Sequence, residues 1–283
     1  MKYGIHLSTF CKDWFEDLTP HIIMSKELGY DGVEFPLIDP FTFDVKKYVA
    51  LTKEVQIQGL CSTGLNNNAD ISSLDSSIRN QGILHLKKCI DIAQQLNSPY
   101  VTGVTYSPWG FVQSKEKGKQ HITNIIESMK EVADYAKSAN VNVYLEVLNR
   151  FESYVINTIE EGKELLSEIQ RNNVGLHFDT FHAHIEEKDV YNAIVKGGKL
   201  IKHVHFSEND RGLPLTGQVN WSAVAKGLKE ISYNEWICLE SFVMTNTEVG
   251  NGTMVWRNVD NNGYYVAKHG LINMKRIMND EIK

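Results

Sequence analysis

The chain has 283 residues, of which 42% are hydrophobic and 23% are charged, and this apolar content excludes wholesale disorder. Lys and Arg number 29 against 35 Asp and Glu, giving a net charge of −6, so no nucleic-acid-binding surface is expected. No run of 18 apolar residues occurs, and the N-terminus lacks the apolar segment of a signal peptide. Four cysteines lie far apart without metal-finger spacing. We therefore expect a cytoplasmic protein with no membrane contact and with reduced cysteines in its core.

Short apolar runs alternate with longer segments of helical periodicity along the whole chain. Eight runs are predicted as strands: Tyr3–Ser8, Gly32–Phe35, Gln56–Ser62, Tyr100–Val104, Asn142–Glu146, Val174–Asp179, Ile201–Phe206 and Trp236–Glu240. The clearest helix is Gln120–Ser138, where apolar residues recur every three or four positions. A second helix begins at Thr158, where Thr158 and Glu161 form a capping-box pattern.

Eight strand and helix pairs average about 35 residues each, which is the repeat length of a parallel barrel. The fold class predicted is therefore α/β, a (β/α)8 TIM barrel, as a single domain over residues 1–283. A doubly wound open sheet is the alternative. That fold favours a glycine-rich phosphate turn after an early strand, and neither GxGxxG nor GxxxxGK[ST] occurs.

Four consecutive predicted strands end in a polar residue: Glu146, Asp179, His205 and Glu240. In such barrels the reactive groups stand at the C-terminal ends of the strands, so these side chains are expected at one rim, aimed at a common point. Any one of these four residues alone would more often be a solvated or helix-capping residue. Three carboxylates sharing a dry site require a cation or raised pKa values. One nitrogen and three carboxylate ligands favour Mn²⁺, with Co²⁺ or Mg²⁺ as alternatives.

Two further histidines, His177 and His203, lie two residues deeper on the same strands as Asp179 and His205. We expect both to be packed, hydrogen-bonded core residues. Support of the metal ligands is the functional alternative.

Three segments carry a family resemblance: Glu146–Glu152 (EVLNRFE), His177–His182 (HFDTFH) and His203–Gly212 (HVHFSENDRG). They resemble the ketose 3-epimerases, the D-psicose and D-tagatose 3-epimerase group of the xylose-isomerase-like barrels. Tyr106–Trp109 after the fourth strand and Leu239–Phe242 at the eighth extend the resemblance over nearly the whole chain.

The resemblance implies an isomerase that inverts C3 of a free ketose through a cis-enediolate. It implies Glu146, Asp179, His205 and Glu240 as metal ligands, with Glu146 and Glu240 as the acid/base pair. It also implies a set of substrate-binding residues: Glu152, His182 and Arg211 at the O1 to O3 end, and Trp109 and Phe242 as apolar walls. Trp14 is either a further wall or a core residue. The resemblance implies no organic cofactor, and it implies assembly as a homodimer or a homotetramer.

Two positions depart from the family pattern. His6 ends the first strand, where the family commonly has Tyr or Phe, and Asn66–Asn68 follow the third strand, where related chains often have proline-containing turns. Both are expected near the distal end of the sugar, and His6 is therefore a candidate for substrate preference.

Four alternative functions remain open from the sequence. An aldose–ketose isomerase, or a dehydratase acting on inososes, would use the same metal rim. An endonuclease for abasic DNA would need more histidines and a basic groove. A sugar-binding barrel without catalysis is the non-enzymatic alternative. A phosphorylated substrate could bind near Gly250–Gly252, in the loop after the eighth strand, although no Lys or Arg cluster accompanies it.

Overall fold

Eight parallel strands form a closed barrel in which each strand pairs with the next and the last pairs with the first. The computed structural model describes residues 1–110 and 118–280. Its strands are β1 (Lys2–His6), β2 (Gly32–Pro36), β3 (Gln58–Leu65), β4 (Tyr100–Pro108), β5 (Asn142–Glu146), β6 (Val174–Asp179), β7 (Ile201–Phe206) and β8 (Trp236–Leu239). The predicted single-domain (β/α)8 barrel is confirmed, and the open-sheet alternative is wrong.

Helices follow the strands and surround the barrel. The described helices are α1 (Thr19–Leu28), α2 (Val45–Val55), α3 (Ser76–Gln95), α4 (Lys119–Ser138), α5 (Ile159–Ile169), α6 (Thr180–Glu186), α7 (Val190–Gly197), α8 (Trp221–Glu230), α9 (Glu248–Gly252) and α10 (Gly263–Met278). The predicted helix over Gln120–Ser138 is confirmed as α4, whose apolar stripe is buried. The predicted capping box is present at the start of α5, where the Thr158 and Glu161 side chains each accept from the other residue's backbone N–H.

Strand boundaries differ from the predictions by two residues or more in β1, β3 and β4, and by one residue at the ends of β2 and β8. β1 ends at His6, because Leu7–Thr9 form a turn of 3-10 helix. Gln56 ends α2 in a left-handed conformation, so β3 begins at Gln58. β4 runs four residues beyond Val104, to Pro108.

One glycine allows β3 and β4 to approach closely near the rim. Gly103 has a φ of 103°, and a Cβ atom placed there would lie 2.2 Å from the carbonyl oxygen of Thr63. Only glycine tolerates both the conformation and the contact. The close approach shapes the wall of the cavity described below.

The core fills the barrel interior and the layer between strands and helices. The four cysteines, all within the described residues, are buried and none is disulfide-bonded, as predicted. Among the described residues, no helix combines the length and the apolar character needed to cross a membrane.

Candidate active site and metal centre

The structure brings together the four polar residues that end consecutive strands. Glu146 ends β5, Asp179 ends β6, His205 lies in β7, and Glu240 directly follows β8. One nitrogen or oxygen atom from each lies within 4.8 Å of the others, and all four side chains are buried. The parallel topology produces this cluster, because the carboxyl ends of adjacent barrel strands meet at one rim.

Two atoms in this cluster lack a partner in a way that fits a bound cation. Asp179 caps α6, where its Oδ1 accepts from the backbone N–H groups of Phe181 and His182 at 2.6 and 3.0 Å. Its Oδ2 has no hydrogen-bond partner. His205 Nδ1 also forms no hydrogen bond, although it lies 3.3 Å from Glu240 Oε1. Buried acceptors of this kind are costly unless a ligand satisfies them. The donor set of one imidazole and three carboxylates therefore fits a divalent metal ion.

Electrostatic repulsion is strong among the carboxyl groups of this cluster. Burial and the nearby Glu240 raise the pKa of Glu146 well above its usual range. Burial also raises the pKa of Asp179. Burial opposes ionisation of Glu240, but His205 and Arg211 lower the pKa of Glu240 below its usual range. A divalent cation among these groups would remove the repulsion between them.

Arg211 is the cation of the site. Its Nη1 donates to Glu240 Oε2 at 2.7 Å, and its Nη2 lies 3.5 Å from Glu152 Oε1. The guanidinium stacks on the ring of Phe181, 3.7 Å from the ring centroid. Arg211 lies in the segment between β7 and α8, yet it is only 5% exposed. Three contacts thus fix the guanidinium beside Glu240.

His182 and Glu152 are oriented by Asn149. The backbone N–H and the side-chain amide of Asn149 both lie within hydrogen-bond distance of His182 Nδ1, at 3.1 and 2.8 Å. The other ring nitrogen, Nε2, lies 3.7 Å from Glu146 Oε1 and 3.4 Å from Arg211 Nη2. Glu152 accepts from Asn149 at 2.9 Å and from Trp109 Nε1 at 3.0 Å.

A cavity opens over the cluster. Every residue expected at the substrate site lines it: His6, Trp14, Trp109, Glu146, Glu152, His182, Arg211, Glu240 and Phe242. His205 also lines the cavity, whereas Asp179 does not. Trp14 and Trp109 meet edge to face at 5.8 Å between ring centroids. The Asn66–Asn68 segment is not part of the lining, so the expectation that it lies beside the sugar is not supported.

Sequence reasoning missed Glu34, although its signal was present. Glu34 lies in β2, where Gly32–Pro36 is otherwise an apolar strand, and is fully buried. Its Oε1 is 2.8 Å from Nε2 of His205. The other four residues were identified because they end a strand, whereas Glu34 lies inside β2, where a single charge in an apolar run is the signal.

The prediction for the deeper histidines holds for one of the two. His203 is fully buried, its Nδ1 is 3.0 Å from the Tyr100 hydroxyl, and its Nε2 is 3.0 Å from Glu34 Oε2. His177 is equally buried, but neither of its ring nitrogens has a hydrogen-bond partner among the described residues. The prediction of a hydrogen-bonded His177 is wrong, because the residue packs against His203 and His205 rings and lies 3.8 Å from Glu146 Oε2.

Comparisons with known proteins agree with this geometry. Residues 24–259 match the family described as "Xylose isomerase-like TIM barrel". An L-ribulose 3-epimerase of Methylomonas sp. (strain DH-1) is 32% identical over 262 residues, covering 92% of this chain and 91% of the relative. A ketose 3-epimerase of Arthrobacter globiformis is 33% identical over 262 residues, covering 92% and 90%. The crystal structure of a D-allulose 3-epimerase from Methylomonas sp. in complex with D-allulose is 31% identical, has a TM-score of 0.93, and covers 98% of this chain and 96% of that one.

The chain therefore belongs to the xylose isomerase-like TIM-barrel family and, within it, to the ketose 3-epimerases, which are isomerases acting on carbohydrates.

Proposed function

We propose that this chain inverts C3 of a free ketose, with one divalent metal ion held by Glu146, Asp179, His205 and Glu240. The observation that carries the proposal is that both glutamates of this ligand set, Glu146 and Glu240, also line the cavity. They come from β5 and β8, with β6 and β7 between them. A sugar lying over the cluster would therefore meet a carboxyl group from each side.

The proton on C3 of a ketose is acidified by the neighbouring C2 carbonyl, but a carboxylate alone is too weak a base to remove it. A divalent cation in this donor set, Mn²⁺ being the ion we favour, supplies Lewis-acid stabilisation of the negative charge that develops on the ketose oxygens. Glu146 and Glu240 then divide the proton transfers. The ionised one removes the C3 proton, and the protonated one returns a proton to the opposite face of the planar cis-enediolate. Each positioned acid or base contributes about 10²- to 10⁴-fold.

The other polar residues of the cavity orient the sugar. The guanidinium of Arg211 is a donor and Glu152 is an acceptor for hydroxyl groups, and Nε2 of His182 is a further hydrogen-bonding group. Burial opposes ionisation of Glu152, but His182 and Arg211 lower its pKa, so the acceptor is a carboxylate. Together these residues bind the end of the ketose that carries the reacting carbons.

A free sugar fits the cavity better than a phosphorylated one. Among the described lining residues, Arg211 is the one Lys or Arg, and its charge is already paired with Glu240. A phosphate group carries about −1.5 to −2 charges and requires several donors or cations. The wall formed by Trp14 and Trp109 instead suits the carbon face of a neutral sugar.

The experiment is turnover of D-fructose, D-psicose, D-tagatose, D-sorbose and L-ribulose by metal-stripped protein, with and without Mn²⁺, with the products separated by chromatography. Mn²⁺-dependent interconversion of C3 epimers is expected. It should fall by about 10²-fold or more in Glu146→Gln and in Glu240→Gln. Glu131→Gln is the matched control, because Glu131 is an exposed residue of α4. Aldose products would assign the chain to the aldose–ketose isomerases, and activity confined to phosphorylated sugars or inososes would overturn the free-ketose proposal.

A further inference from the structure

Glu34 lies behind the metal cluster and contacts a proposed ligand from outside the cavity. Its side chain is fully buried, and it does not line the cavity. One carboxylate oxygen is 2.8 Å from Nε2 of His205. The other is 3.0 Å from Nε2 of His203 and 3.4 Å from the Tyr100 hydroxyl. Three potential donors thus surround a single carboxylate inside the barrel.

The bond between Glu34 and His205 crosses the barrel interior. His205 lies in β7, whose neighbours are β6 and β8, whereas Glu34 lies in β2. The orientation of the His205 ring is therefore fixed by a contact that its neighbouring strands do not supply. Because a carboxylate only accepts, Nε2 of His205 must be the donor and carry the proton. Nδ1 faces Glu240 Oε1 and Asp179 Oδ2, which are 3.3 and 3.8 Å away, and its lone pair becomes available there when the ring is neutral.

We infer that Glu34 is a positioning residue for the metal centre, and this inference rests on the function proposed above. It holds the His205 ring in one orientation and one tautomer, with Nδ1 aimed at the ion. A histidine ligand whose other nitrogen donates to a carboxylate is a more basic and better oriented ligand, and losing such a partner costs about 10- to 100-fold in metal affinity or activity.

The burial of Glu34 supports a specific role over a passive one. A carboxylate taken out of water costs several kcal/mol unless it is paired and hydrogen-bonded. Its closest partners are His203, His205 and Tyr100, with His6 Nε2 4.0 Å away, and one of these histidines, His205, is in the donor set. An apolar side chain at this position would pack in the barrel without that cost but would leave Nε2 of His205 unpartnered.

The test measures Mn²⁺ affinity of the whole metal-stripped chain by isothermal titration calorimetry, independently of turnover. Glu34→Leu is expected to weaken Mn²⁺ binding about 10- to 100-fold. Glu34→Gln keeps an amide oxygen that can accept from Nε2 of His205, so its affinity is expected between those of the wild type and Glu34→Leu. Tyr100→Phe is the matched control, because its hydroxyl contacts Glu34 and His203 but not His205, and it should bind Mn²⁺ as the wild type does.

Thermal unfolding of each metal-free variant separates a loss of folding from a loss of metal binding. If Glu34→Leu does not fold, the isosteric Glu34→Gln decides the question, and weakened binding with a native melting curve supports the inference. Wild-type Mn²⁺ affinity in every folded Glu34 variant would overturn it. That result is distinct from failure of the proposed function, which would appear as absence of Mn²⁺ binding or of epimerisation in the wild type.

Discussion

Replacing Arg211 by Met tests whether this guanidinium neutralises Glu240 when no metal is bound. Methionine has a similar length and can still lie on the Phe181 ring, so the change mainly removes the charge. Breaking one side of a buried ion pair costs about 3 to 5 kcal/mol. The variant could instead protonate Glu240. The usual glutamate pKa is about 4.3, and each unit between this value and the pH costs about 1.4 kcal/mol. Protonating Glu240 at pH 7 therefore costs about 4 kcal/mol. We therefore expect the free energy of unfolding to fall by about 3 to 4 kcal/mol.

The loss of unfolding free energy in Arg211→Met should depend on pH and on whether a metal ion is bound. In the wild type, His205 and Arg211 lower the pKa of Glu240 despite its burial, so the group contributes stability that is present above its unfolded pKa and is lost as pH falls. The variant lacks that contribution. At pH 5 protonating Glu240 costs only about 1 kcal/mol, and the difference between wild type and variant should shrink accordingly. Saturating Mn²⁺ should also reduce it, because the cation neutralises the same carboxylate.

The assay is thermal unfolding followed by circular dichroism, with EDTA at pH 7 and pH 5 and with Mn²⁺ at pH 7. At about 2 °C per kcal/mol for a chain of this size, the expected decrease in Tm is about 6 to 8 °C at pH 7 without metal. Arg171→Met is the control, since Arg171 pairs with Asp134 at the surface and the two side chains are 31% and 57% exposed, where such a pair is worth about 0 to 1 kcal/mol. A loss in Arg211→Met equal to that of the control, or unchanged between pH 7 and pH 5, would refute the reasoning.

Three further substitutions test the barrel interior and the cavity. His177→Leu should stabilise the metal-free protein by about 1 to 2 kcal/mol in urea unfolding, because it removes a buried imidazole with no hydrogen-bond partner; a destabilised variant would contradict this. Gly103→Ala should destabilise the protein by about 2 kcal/mol or more in the same assay, because the added Cβ would meet the Thr63 carbonyl oxygen and the φ of residue 103 is positive. An unchanged unfolding midpoint would show that β3 and β4 can move apart. Glu152→Gln should raise KM for the preferred ketose about tenfold or more, because the charged acceptor is lost and the single amide oxygen can accept from only one of Asn149 and Trp109. Unchanged KM with lower stability would make Glu152 a structural residue.

The barrel and its rim were predictable because their signals are local. Each strand is an apolar run, and Glu146, Asp179 and Glu240 stand where an apolar run stops. Parallel topology then places successive strand ends side by side, so the spacing of one strand and helix unit was enough to bring the ligand candidates together.

Residues whose roles depend on contacts across the barrel were not predictable in the same way. Glu34 meets His205 from a strand that is not a neighbour of β7, and no sequence spacing encodes that distance. His177 shares the strand parity of Asp179, yet its lack of hydrogen bonds depends on packing against the other histidines. The extension of β4 to Pro108 depends on the pairing of Pro108 with Leu65 beyond a shift in register, which no local pattern encodes.

The measurement that tests the central claim most directly is proton NMR of the preferred ketose turned over in D₂O by the Mn²⁺-loaded enzyme. Two glutamates acting on opposite faces of C3 require each molecule of product to carry one solvent-derived deuterium at C3 and none at C1. That labelling pattern is the predicted result. Deuterium at C1 with formation of an aldose, or a C3 epimer formed without solvent deuterium at early times under conditions where both glutamates exchange with water, would contradict the account.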